Sequence, residues 1–136
     1  MKKIVKKMVL TVAAVMVCFI VLGIVMFGAM TVKTNEALKS QVNVDIDMEK
    51  VKDGIYIGSS DGGLVQVEVE VEVADHKIIS INLLKHECGM GQPAESMLEV
   101  MVQNNTDNVD AVSGATASSA TIRNAVNKAL QSGLEE

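Results

Sequence analysis

From Met8 to Met30 the chain runs 23 residues without one charged side chain. A helix of that length crosses the hydrocarbon core of a bilayer, and no polar face interrupts the run to suit it to a soluble core. A cleavable signal peptide has a shorter apolar stretch and ends in a small-x-small site; Gly28-Ala29-Met30 is a poor one. Cys18 follows Val15-Met16-Val17, with no small residue before it, which argues against a lipid-bearing cysteine. The expected organisation is a basic segment at 1–7, a transmembrane anchor at 8–30, a stalk or linker at 31–51 and a folded domain at 52–136. Lys2, Lys3, Lys6 and Lys7 precede the run, and only Lys33 and Lys39 follow it closely. The positive-inside rule then puts the N-terminus in the cytoplasm and residues 31–136 outside, on a single-pass protein of the cell membrane.

The part beyond the run is acidic, with eight Lys/Arg against seventeen Asp/Glu, and its one aromatic residue is Tyr56. Without a basic stripe or stacking rings, nucleic-acid binding is excluded as a function class. The two cysteines, Cys18 in the apolar run and Cys88 beyond it, are too far separated in their expected settings to form a disulfide scaffold. His86 with Cys88 two residues on makes no metal-ligand set, so no metal site is expected.

Val65-Gln-Val-Glu-Val-Glu-Val-Glu-Val73 alternates strictly, the mark of a half-buried strand. Asp53–Gly58 reads as a short strand before it, with Asp61-Gly-Gly63 as the turn between. Ala74-Asp-His76 turns the chain into a second hairpin strand over Lys77–Lys85, with Ile78, Ile79, Ile81, Leu83 and Leu84. His86–Gly91 is a loop, and Pro93 suits the first turn of a helix. Ala94, Met97, Leu98, Met101 and Val102 form one apolar stripe, and Met97 and Met101 read as core filling. The order predicts a small α+β domain: an antiparallel sheet packed against two helices, preceded by the one transmembrane helix.

Asp110-Ala-Val-Ser-Gly-Ala-Thr-Ala-Ser-Ser119 is a small-residue loop rich in hydroxyls. It leads into a helical pattern, Ile122, Ala125, Val126, Ala129 and Leu130, that runs from about Ser119 to Gln131 with Gly133 just past its end. Ser118 or Ser119 is the natural N-cap. A helix start carries unpaired N–H groups and the positive end of the macrodipole, and small residues let a phosphate come close to it. The loop suits an anionic group held beside a nucleophilic hydroxyl.

Ser113, Gly114, Ala115, Thr116, Ala117 and Ser118, with Asp110 three residues earlier, resemble the flavinylation motif of the FMN-binding domain family. Asp53, Gly54, Tyr56 and Gly58 match its opening Asp-Gly-x-Tyr-x-Gly. His86, Gly89 and Gly91 match its loop, and Ala94-Glu95 the start of its helix. The resemblance covers residues 53 to about 130. It implies FMN joined by a phosphoester to the last hydroxyl of the motif, Ser118, by a separate flavin transferase that draws on FAD and magnesium. Gly114 and Ala115 would keep the loop narrow, Asp110 would shape it or be recognised by the transferase, and Thr116 and Ser119 would bond the phosphate or cap the helix. The loop around His86 and Met90 is the candidate second wall for the flavin ring. No base in the chain is expected beside Ser118, so self-attachment is not supported.

The resemblance implies an anchored, extracytosolic electron carrier, resting on membrane lipid, between a membrane redox donor and an exported acceptor. No substrate-pocket signature points to a complete enzyme. Two alternatives stay open at this point: a subunit of a larger quinone-reductase or Rnf-type complex, and a flavin-free binding or structural module.

Overall fold

The computed structural model describes residues 2–134. Met1, at the start of the basic segment, and Glu135 and Glu136, at the end of the domain, lie outside the described residues. So do several side chains near the ends of the apolar run, among them Lys2, Lys3 and Lys33 of the charge asymmetry. The chain divides into two compact units, one up to Lys33 and one from Thr34 onward.

The first helix, α1, spans Lys2–Lys39. Its stretch Lys6–Ala29 is long and apolar enough to cross a membrane, and none of it is buried by protein. Side chains from Met8 to Phe27 are exposed all round the helix. A surface of that kind suits an apolar medium rather than water. Such a helix near an N-terminus serves as a membrane span or as a signal sequence.

The second unit holds a three-stranded antiparallel sheet in the order β1 (Gly54–Asp61), β2 (Gln66–Ala74), β3 (Lys77–Glu87). β2 is central, and its strict alternation appears as alternating burial: Val67, Val69, Val71 and Val73 face in, while Gln66, Glu68, Glu70 and Glu72 lie on the outer face. Asp75 and His76 both have positive φ, 52° and 58°, which makes the β2–β3 connection the tight hairpin turn that matches strand twist. α2 (Ser96–Asn104) follows a short 3-10 turn at Gln92–Glu95, and α3 (Thr116–Gln131) closes the domain. Both helices cover the inner face of the sheet. One core joins the β2 valines with Ile78, Met97, Met101, Ile122, Ala125, Val126, Ala129 and Leu130. The expected α+β class, the hairpin, the two helices and the core role of Met97 and Met101 are all present.

β3 carries a detail the sequence did not announce. Five apolar residues in seven cannot alternate, and the strand resolves this with two bulges against β2, at Glu68/Val69 and Glu72/Val73. Ile79 and Leu84 are the extra residues, and both are exposed. Ile78 is buried, and Ile81 and Leu83 pack against the core. Each bulge resets which face the next residue takes. Past Leu84, Lys85 pairs with the outward Glu68 and His86 with the inward Val67. His86, expected in a loop, is thus a strand residue turned to the inner face.

The segment expected as a stalk is helical to Lys39, and its later part joins the domain. Val51 is fully buried and bridges to Leu134, and Lys52 N–H donates to the carbonyl of Gly133 at 2.8 Å. Asn124 donates to the carbonyl of Val42 at 3.1 Å, and Asn127 to that of Val44 at 2.7 Å. Stalk residues with no period of their own gain structure here because buried amides of α3 take up their main-chain groups.

Candidate functional site

The motif loop reaches α3 from the end of α2. Asn105 caps α2 in the left-handed conformation, and its side chain ties that end to the hairpin by accepting from Ile78 N–H at 2.8 Å. Asp107 is buried and accepts from Asn127 at 2.6 Å. Arg123 donates to the carbonyl of Val109. Ser119 Oγ accepts the N–H of Val112 at 3.0 Å. α3 therefore holds its own approach loop at three points along its length.

The helix starts at Thr116, earlier than the sequence pattern suggested, and its N-cap is Ala115, which supplies no side-chain hydrogen bond. Ser118 and Ser119 were the expected caps, but both lie within the first turn and face inward. Their small side chains fit against neighbouring main chain where a larger residue would not. Ser119 is fully buried, and its oxygen serves Val112. Ser118 is 1% exposed. Its Oγ lies 3.2 Å from His86 Nε2, and His86 Nδ1 lies 2.8 Å from a carboxylate oxygen of Glu95. A Cβ added to Gly91 would fall 1.9 Å from Ser118 Oγ, so the 88–91 turn closes over the same hydroxyl and only glycine fits there.

A base therefore does stand beside Ser118, contrary to expectation, with a carboxylate behind it to orient the ring. That is the order of groups that activates a nucleophile. Here burial withholds the hydroxyl from any large electrophile. Glu95 entered the sequence reading only as part of a helix-start match; its bond to His86 depends on the Leu84 bulge, which no local pattern reveals.

Around the buried serines lies an exposed rim. Asp110, Ser113, Gly114 and Thr116 are all exposed. Gly114 has φ 82°, and no atom lies within 4 Å of where its Cβ would point. Ala115 is buried and anchors the rim to the core. Met90, at the tip of the neighbouring turn, is 94% exposed. Of the residues the sequence singled out, Asp110, Ser113, Gly114, Thr116 and Met90 are presented at the surface. Ala115, Ser118, Ser119 and the His86 side chain lie beneath it.

This arrangement fits a phosphate-linked group. The helix start has no side-chain cap, so its first N–H groups and dipole are open to an anion. An exposed hydroxyl stands in its first turn, and the three residues before it, Ser113, Gly114 and Ala115, are small. Among the described residues no cluster of His, Cys, Asp or Glu could hold a metal ion. A cleft of about 340 Å³, lined among others by Ser59, Gln66, Glu68, Lys85 and Lys128, shares no residue with the motif.

No curated protein matches the chain. The sequence model of the FMN-binding domain family matches residues 62–131, a little over half of its length. The matched stretch takes in β2, β3, the 88–91 turn, α2, the motif loop and α3, which together build the site. The chain belongs to the FMN-binding domain family, and FMN is the cofactor this membership supports.

Proposed function

We propose that the protein is a membrane-anchored, extracytosolic electron carrier whose FMN is held by a phosphoester on Thr116. The observation that carries this reading is the contrast within one helical turn: Thr116 is exposed at the uncapped start of α3, whereas Ser118 is 1% exposed and bonded to His86. Position in the motif favoured Ser118, but accessibility favours Thr116. A transferase must bring a phosphorus atom into line with the attacking oxygen, which a buried hydroxyl does not permit.

The attachment step balances with FAD as donor. The Thr116 oxygen bonds the FMN phosphorus of FAD, the pyrophosphate bond breaks, AMP leaves, and the hydroxyl proton passes to a base of the transferase. Asp110 and Ser113 offer that enzyme polar groups on the exposed rim. The first-turn N–H groups of α3 then face the phosphodiester charge. Gly114 leaves room for the linkage, and Met90 offers the ring an apolar contact.

Bound FMN supplies electron transfer in one- or two-electron steps. A covalent tether suits a protein outside the cytoplasm, where lost cofactor is not replaced. The apolar Lys6–Ala29 stretch supports an anchor, and the lysines before it support a cytoplasmic N-terminus. A membrane donor would reduce the flavin, and an exported acceptor would oxidise it.

The test is co-expression of the full chain with a flavin transferase, followed by denaturing electrophoresis. The expected result is flavin fluorescence that migrates with the protein after denaturation and is bleached by a membrane reductant before it. A colourless band beside a fluorescent control substrate of the same transferase would contradict the covalent reading.

A further inference from the structure

We infer that the Glu95–His86–Ser118 chain is a positioning device for the flavin. It clamps the Cys88–Gly91 turn onto the first turn of α3, so that Met90 is carried on a turn fixed against the start of the helix that bears Thr116. The inference rests on the proposed function and names residues beneath the site that never touch the cofactor.

Several linked features converge on it. The bulge at Leu84 turns His86 inward, where its side chain is only 3% exposed. Both ring nitrogens are engaged, one by Glu95 at 2.8 Å and the other by Ser118 at 3.2 Å. With Glu95 accepting from Nδ1–H, Nε2 is left to accept the Ser118 hydroxyl proton, an assignment made from the network. His86 precedes the turn and Glu95 follows it, so their bond closes the loop at its base. Gly91 rests directly on Ser118 Oγ. Within the turn, Gly91 N–H donates to the carbonyl of Cys88 at 2.8 Å, and Ala94 N–H to that of Gly91 at 3.0 Å.

The result is a rigid turn carrying one large apolar side chain in water. A methionine that exposed gains nothing for the fold and is adaptable enough to lie against a planar ring. Fixing the turn lowers the ordering cost of that contact, as preorganisation does in any binding site. The flavin environment should therefore depend on a buried histidine that the flavin does not meet.

The experiment compares FMN-loaded full chains carrying His86→Ala, Glu95→Ala or the conservative Glu95→Gln, which keeps an acceptor oxygen for Nδ1. Glu95 is 37% exposed, so its variants should fold even if His86→Ala does not. Three quantities are read: adduct mass, amide exchange in the turn, and the flavin's visible spectrum with its quenching by iodide. The alanine variants should keep the adduct, exchange at residues 88–91 roughly tenfold faster as a buried hydrogen bond is lost, and show a shifted spectrum with easier quenching. Glu95→Gln should stay near wild type. Faster exchange with unchanged spectrum and quenching, or no change in any reading, would overturn the inference and leave the function standing. A wild-type chain that acquires no FMN would overturn the functional reading and this inference with it.

Discussion

Asn127 pairs with Val44 through both ends of its side-chain amide: its Oδ1 accepts the Val44 N–H at 3.0 Å, and its Nδ2 donates to the Val44 carbonyl at 2.7 Å. One turn earlier, Asn124 repeats half of this with Val42. Two buried asparagines on α3 thus hold an extended segment much as a neighbouring strand would. Asn127 also donates to Asp107, so one residue joins the chain before the sheet to the loop that leads into the motif.

Replacing Asn127 with Ala would leave the Val44 main-chain groups and the Asp107 carboxylate without their buried partner. Each such loss costs about 1–3 kcal/mol, and partial access of water to Val44 holds the total to roughly 3 kcal/mol. Urea unfolding of the full chain in detergent should show the midpoint falling with the slope unchanged. A loss under about 0.5 kcal/mol, the range of an ordinary surface substitution, would show that the segment is not held in this way.

Deleting Leu84 tests the bulge. Leu83 faces Val69 and Lys85 faces Glu68, with Leu84 as the extra residue between them, so a chain without Leu84 keeps Lys85 outward and His86 inward in an unbroken ladder. The expected outcome is a chain that folds and keeps its amide protection over β3. A Leu84→Thr substitution keeps the register and places a polar group on an exposed site, so its stability should stay within about 0.5 kcal/mol of wild type. Loss of β3 protection in the deletion, with the substitution unaffected, would contradict the register.

Ser119→Ala removes the acceptor of the Val112 N–H while leaving the helix intact. The cost should be about 1 kcal/mol, and it should be local. Hydrogen exchange should speed up at Val112 and Ala115 and remain unchanged across β2. An unaltered Val112 amide would show that the loop is held by its other bonds to α3 alone.

The sheet and the core were legible because their signals are periodic. The valines of β2 alternate over nine residues, and the apolar positions of α3 recur at helical spacing, so each element announces its buried face. The site was legible only in part. Small residues and hydroxyls marked the loop, but which hydroxyl meets solvent depends on where α3 begins. Serine, as a good cap, drew the expected start too far along the chain; packing of Ser118 against His86 and of Ser119 against Val112 set it at Thr116 instead. His86 could not be placed from sequence, because a single bulge reverses its face. The contacts of residues 41–51 were equally hidden, since an extended segment held by asparagine side chains has no period to detect.

Tandem mass spectrometry of one peptide locates the flavin linkage. Trypsin cleaves after Lys85 and Arg123, so the fragment His86–Arg123 carries Thr116, Ser118 and Ser119 together. From a full chain loaded by a flavin transferase, this peptide should carry the mass of FMN less water. Fragment ions should place that mass on Thr116. Thr116→Ser should retain it, and Thr116→Ala should lose it. An adduct on Ser118, or one that survives Thr116→Ala, would contradict attachment at Thr116.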